Sequence, residues 1–273
     1  MHRVDTTFVK GMSILEQIAR SDAPRGVTEL SEALGMTKSN VHRLLQTLMG
    51  CGLVQRDEST ARYVATLKIW ELGHEVWLRS KLRAATSPLV EELARRTREM
   101  VHVAIIDGDD LLFFEQVGNP TAYPFRMFWP IGGRMHCWQI LPGGKDLTAI
   151  QIAYLSVLPD KKCQSILAML RTEISRSAKT QDAIMKRISA ARQAGYALNH
   201  GEWNDEMRGA ASVFFHKDGQ PAGILGLNGP AQRVDPTTVE RWGNLARHAA
   251  ESISYELGFR KVRPETRTAT DAP

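Results

Sequence analysis

The sequence predicts an α+β protein with a helical N-terminal part and a larger C-terminal part built on a mainly antiparallel sheet. Three observations predict it. Up to about residue 50 the apolar residues recur at helical spacing between tight breaks. From about residue 100 they alternate with period two, in segments joined by short polar turns, as in hairpins. Those hairpins follow one another without the β-α-β alternation that a parallel sheet requires. The chain has 273 residues, room for two modest domains. Its 43% hydrophobic and 24% charged residues describe a globular protein, not a disordered one.

The elements follow in order. Phe8, Met12, Leu15 and Ala19 repeat at helical spacing, and Ser21 to Gly26 forms a polar break. Thr28 reads as the cap of a short helix burying Leu30, Ala33 and Leu34, with Gly35 placed to stop it. Thr37 caps another helix, whose Val41, Leu44, Leu45 and Leu48 fall at i, i+3, i+4 and i+7. Leu53 to Arg56 and Arg62 to Ala65 read as two short strands joined by the polar segment 57–61. Thr66 to Leu78 resumes a helical pattern and runs into the basic cluster Arg79, Lys81 and Arg83.

Ser87-Pro88 is a helix-start signal, a cap residue followed by a proline at the first helical position. Met100 to Ile106 and Leu111 to Val117 form a hairpin around Asp107 to Asp110. Segments 146–155, 160–170 and 180–194 read as helices, the last ended by Gly195. Segments 196–199, 209–216 and 222–228 read as strands, and a long helix runs from about Asp235 to Phe259. The expected organisation is a helical domain with a two-stranded wing over 1–65, a linker helix over 66–84, a larger domain over 85–259 and a disordered tail over 260–273.

Composition excludes several classes. No apolar run approaches the roughly 18 residues of a membrane span, and the N-terminus lacks the apolar core of a signal peptide. The three cysteines are too few and too scattered for a disulfide framework and lack zinc-site pairing. The expectation is a cytoplasmic protein without cofactor or metal. A net charge of +5 permits a nucleic-acid partner without requiring one.

Helix, short helix, turn, helix and two-stranded wing is the order of parts in a winged helix-turn-helix. With its apolar residues inward, the third helix turns Lys38, Ser39, Asn40, His42, Arg43, Gln46 and Thr47 outward, and none of them is acidic. Lys38 and Arg43 can neutralise phosphates or bond guanine, Asn40 and Gln46 can pair with adenine, and the hydroxyls suit backbone or base edges. Arg62 and Tyr63 on the wing are placed to touch the flanking backbone or minor groove. The alternative is a solvated polar face on a metabolite-binding protein or enzyme with a helical N-terminal extension. No nucleophile–base pair or metal cluster in the sequence supports that alternative.

The run 27–48, from Val27-Thr28-Glu29-Leu30 through Thr37-Lys38-Ser39-Asn40-Val41-His42-Arg43 to Leu48, resembles the IclR family of bacterial transcriptional regulators. Gly52 to Asp57 and Arg62-Tyr63 match the same family's wing. Gly144-Lys145, Ala194-Gly195-Tyr196, Glu202 and Leu227-Asn228-Gly229-Pro230 recur in the family's order. The resemblance extends from about Phe8 to Phe259. It implies a GAF-like effector-binding C-terminal domain, dimers formed through the DNA-binding domains and often paired into tetramers, and a small metabolite, usually an organic acid, that changes binding to a double-stranded operator.

The resemblance also places an effector site. Pro142 and Gly143 stand beside the ligand, Gly144-Lys145 follow at a helix start, and Asn199, Gly209, Gly226 and Asn228 line the wall from the strands. Trp129 and Trp203, with Phe125, Phe128 and Trp138, fall in or near the pocket loops and are suited to stacking on an aromatic or sugar-like metabolite. Leu141, Pro142 and Gly143 replace the small or hydroxyl residues usual near the Gly-Lys loop. Gly226 and Asn228 stand where serines are common, and Asn199 where an acid is. This pattern implies an effector different from small keto acids. Other motifs read as structural: Gly143-Gly144-Lys145 lacks nucleotide-loop spacing, and His102, His136 and His216 read as hydrogen-bonded structural histidines.

Overall fold

A computed structural model describes residues 5–118, 130–137, 139, 144–170 and 178–260. Trp129, Pro142 and Gly143, with Phe125, Phe128, Trp138, Leu141 and the tail beyond residue 260, lie outside the described residues. The chain divides into two compact units, residues 1–80 and 81–273.

The first unit contains helices α1 (Thr6–Ala19), α2 (Val27–Leu34) and α3 (Lys38–Gly50), strands β1 (Val54–Arg56) and β2 (Tyr63–Ala65), and helix α4 (Lys68–Leu78). Its core is Ile14, Leu15 and Ile18 of α1, Leu30 of α2, the four predicted residues of α3, and Val54 and Tyr63 of the wing. Burying each large aliphatic side chain of that set contributes about 1.5–3 kcal/mol. Gly35 ends α2 at φ +60, a conformation that side-chain-bearing residues rarely adopt. Two expectations change here. The N-cap of α2 is Gly26, whose N–H donates to the Glu29 carboxylate, so Thr28 lies within the helix. On α1 the buried stripe is Ile14, Leu15 and Ile18, while Phe8 and Met12 face solvent. The helix carries two apolar stripes, and the more aliphatic one wins the core.

In the second unit, α5 (Lys81–Thr97) precedes hairpin strands β3 (Met100–Asp107) and β4 (Asp110–Val117) and the short β5 (Arg134–His136). Helices α6 (Ala149–Val157), α7 (Asp160–Leu170) and α8 (Ala178–Ala194) lead to strands β6 (Ala197–Asn199), β7 (Met207–Phe215) and β8 (Pro221–Pro230), and α9 (Pro236–Glu256) closes the unit. The six strands run β5-β4-β3-β8-β7-β6, and every neighbouring pair is antiparallel. One face carries a core of Met100, Ala104, Phe113, Ala211 and Ile224 under residues of α6, α7 and α8. The opposite face packs Val101, Val103, Phe214, Leu225 and Leu227 against α5 and α9.

Ser87-Pro88 does not start a helix. Both residues lie inside α5. Thr86 and Ser87 instead donate their hydroxyls to the buried Glu115 carboxylate on β4, the first at 2.6 Å. With Val90, Leu93 and Ala94 packed on the sheet, these contacts outweigh the amide that Pro88 cannot supply. Helix α6 starts at Ala149, later than expected, where Thr148 and Gln151 form a reciprocal cap.

Candidate nucleic-acid interface and effector face

Thr37 holds the start of α3 by accepting the Asn40 N–H at 3.3 Å. Lys38, Ser39, His42, Arg43, Gln46 and Thr47 are exposed and Asn40 is half-buried. The helix therefore presents a polar, acid-free surface over its first three turns. Arg43 donates through Nη2 to Asn40 Oδ1 at 3.1 Å, so the one amide orients the guanidinium. Both side chains are of types that can hydrogen-bond base edges.

The wing departs from expectation. Tyr63 is 4% exposed and belongs to the unit's core, so its side chain is not at the surface for DNA. Its backbone also exchanges two hydrogen bonds with Arg25, each 2.9 Å, which ties the segment before α2 to the wing. Packing claims the ring because Tyr63 begins β2, the strand that packs against α1, and joins the core of the unit. Arg62 is half-exposed, but its guanidinium pairs with Glu29 at 2.6 Å and donates to the Pro24 carbonyl at 3.1 Å. The wing turn is held by Asp57, which accepts from the Ser59 hydroxyl and from the Thr60 amide and hydroxyl. Those bonds hold its carboxyl at a pKa of about 2.

In the second unit the four strand residues assigned to the effector wall share one region of the sheet. Asn199 pairs with Gly209 across β6 and β7, Gly209 with Asn228 across β7 and β8, and Gly226 lies two residues from Asn228 on the same face. A Cβ on Gly209 would lie 2.3 Å from Asn228 Oδ1, so the Asn228 amide occupies that space. Asn199 is 5% exposed and is committed to its own loop: Nδ2 donates to the Met207 carbonyl and Oδ1 accepts the Trp203 N–H, both at 3.1 Å. It shapes the wall without offering its carbonyl to a ligand. Trp203 is buried with the core on this face.

Gly144-Lys145 does not form a helix start. Three residues separate Lys145 from Ala149, the Lys145 N–H donates to the Trp203 carbonyl at 2.8 Å, and the ammonium pairs with Asp205 at 2.5 Å. No helix amide is therefore directed from these two residues toward an anion. Gln151, fully buried, donates to the Cys137 and Gln139 carbonyls and anchors that segment on α6.

Residues 7–58 match the IclR helix-turn-helix domain and residues 74–255 the C-terminal domain of the bacterial transcriptional regulator IclR. The chain belongs to the IclR family. HTH-type transcriptional regulator KdgR of Escherichia coli K12 is 26% identical over 256 residues, spanning 93% of this chain and 93% of the relative. HTH-type transcriptional regulator XynR of the same strain is 24% identical over 253 residues, 92% of this chain and 96% of the relative. Among solved structures, the IclR-type regulator of Alicyclobacillus acidocaldarius superposes with a TM-score of 0.74 at 18% identity, covering 94% and 100% of the two chains. The IclR homologue of Microbacterium hydrocarbonoxydans, solved with 4-hydroxybenzoate, superposes at 0.70 and 19% identity, covering 92% and 99%. The relatives are transcriptional regulators, so the reading as an enzyme with a helical extension gives way.

One residue of this IclR-family chain escaped the sequence reading. His102, set aside as a hydrogen-bonded structural histidine, is 0% exposed on β3, and neither ring nitrogen has a hydrogen-bond partner among the described residues. It pairs across the sheet with Gly226 on one side and Gln116 on the other, and so joins the same face as Gly209 and Asn228. The available signal was the alternation of β3, which sets His102 on one face with Met100 and Ala104; its pairing with Gly226 of β8 is long-range and was not legible. Among the described residues no cluster of His, Cys, Asp and Glu could hold a metal, and no helix is long and apolar enough to cross a membrane.

Proposed function

We propose that this protein is a ligand-responsive regulator of a catabolic pathway that binds a pseudo-palindromic operator as a homodimer. Helix α3 enters the major groove with Lys38, Ser39, Asn40, His42, Arg43 and Gln46 toward the bases and backbone, and Thr37 caps it. The acid-free exposed face of α3 carries this reading. Arg62 reaches a phosphate by exchanging its exposed pairing with Glu29, an exchange of small cost because surface pairs contribute only about 0–1 kcal/mol.

The dimer reading is supported by apolar side chains left open on the first unit. Helix α4 buries no residue, and Trp70, Leu72 and Val76 on it are exposed, as are Phe8 and Met12 on α1. Large apolar groups gathered on one small domain mark a contact surface. Two copies joined this way would present two recognition helices to two half-sites.

The effector is a small organic acid or an aromatic or sugar-like metabolite, bound at the sheet face of Gly209, Gly226 and Asn228. The polar and glycine pattern there supports this, and a protein of the same fold was solved with 4-hydroxybenzoate. Effector binding changes operator affinity through the linker over 66–84, which requires different effector affinities in the two arrangements. The test is fluorescence anisotropy on duplexes from the chain's own upstream region, over a range of salt. Affinity should fall steeply with salt as phosphates release counterions. Flat salt dependence, or equal affinity for scrambled duplexes, removes the operator reading.

A further inference from the structure

The two glycines of the effector face are bare because polar side chains from neighbouring strands lie over them. Asn228 covers Gly209. His102 covers Gly226: a Cβ there would stand 2.4 Å from Nε2 and 2.7 Å from Cε1 of the imidazole. The ring thus fills the space that a side chain at 226 would take, and brings two hydrogen-bonding atoms where glycine brings none. The ring of Phe113 lies 5.8 Å away between centroids, and Met100 and Ala104 flank His102 on the same strand face. In these apolar surroundings burial pushes the imidazole pKa down to about 4, so the ring is neutral, with one nitrogen donating and the other accepting. A fully buried polar group with both nitrogens unsatisfied among the described residues is costly to keep, and a ligand group is one way to repay that cost.

We propose that His102 is a ligand-reading residue of the effector face, and that it recognises an uncharged hydroxyl of the effector. A neutral ring offers no charge to compensate a carboxylate, whereas a hydroxyl both donates and accepts and so suits either tautomer. The effector is therefore a hydroxylated metabolite, distinguished at this point from its deoxy counterpart. The assignment rests on the reading of this face as the effector site.

The experiment uses the full chain and three matched pairs of probes: 4-hydroxybenzoate and benzoate, D-gluconate and hexanoate, D-glycerate and propionate. Binding is measured by calorimetry, and the imidazole signals by 1H–15N spectroscopy of histidine-labelled protein. The hydroxylated member of at least one pair should bind at least tenfold more tightly than its partner and shift the His102 ring signals. His102→Phe should abolish that preference while leaving salt-dependent DNA binding intact. His102→Gln, which keeps a donor and an acceptor, should retain part of it and serves if the Phe variant does not fold. Unaltered preference in the folded His102 variants, or ligand binding with unmoved His102 signals, overturns the assignment. Asn228→Ala separates the two levels. If it abolishes binding of both members while the His102 variants do not, the face stands and His102 falls. If no probe binds the wild type, or binding ignores both positions, the effector face falls and His102 with it.

Discussion

Arg43 and Asn40 act together on the exposed surface of α3, so removing the guanidinium should cost a base contact without costing the fold. Arg43→Ala is expected to weaken specific operator binding by about 10–100-fold, the equivalent of about 1–3 kcal/mol, with an unchanged melting temperature. A gel shift showing unaltered affinity would take Arg43 out of the interface. Tyr63 gives the opposite expectation. Tyr63→Ala should destabilise the first unit by about 3–5 kcal/mol, as large aromatic truncations in cores do, while Tyr63→Phe should leave operator affinity unchanged. His102 should leave a mark on acid stability. Burial holds its pKa at about 4 against an ordinary 6.5. Below pH 6.5 the unfolded chain takes up a proton that the folded chain refuses until about pH 4. Stability is thus lost as pH falls through that window, by at most about 3 kcal/mol. Urea titrations between pH 7 and pH 4.5 should show the slope diminished in His102→Gln, and an identical slope in the variant would contradict it. At this scale the sequence revealed the exposed side chains of α3 but not the fate of Tyr63 or Asn199. Burial of a ring and capture of an amide by a backbone loop depend on neighbours distant in the chain.

Helix α3 was legible because its four apolar positions follow one period and its cap is a single threonine. Helix α1 was legible as a helix but not in its orientation, because two apolar stripes compete and only tertiary contact chooses between them. Helix α5 defeated local signals altogether. The Ser87-Pro88 pair reads as a start, yet the hydroxyls of Thr86 and Ser87 are claimed by Glu115, 29 and 28 residues away in sequence. Helix α4 carries the prediction that belongs to elements. Its exposed Trp70, Leu72 and Val76 should be covered by another copy, so Trp70→Glu together with Val76→Glu should turn a dimer into a monomer in sedimentation velocity while the helical circular dichroism persists. A dimer that survives both substitutions would place the contact elsewhere. The monomer should also lose most operator affinity, since one half-site contributes only part of the binding free energy.

Across the whole molecule, the α+β class and the antiparallel sheet were readable because hairpins leave short, regular polar gaps. The proposed effector face was readable only in part. Asn199, Gly209, Gly226 and Asn228 come from three strands, and the sheet register is what sets the last three beside His102. Asn228→Ala should blunt the response to effector at least tenfold and leave effector-free operator binding unchanged. An unchanged dose–response curve would discard its assignment. The cysteines give the molecule a practical asymmetry. Cys137 and Cys163 are buried, with the former thiol pushed up to about 12, whereas Cys51 is exposed just past the end of α3. A maleimide dye or spin label would therefore react at one place per chain with no engineering. Resonance energy transfer or dipolar spectroscopy between two such labels would measure how far apart two paired copies hold their α3 helices, with and without a candidate metabolite.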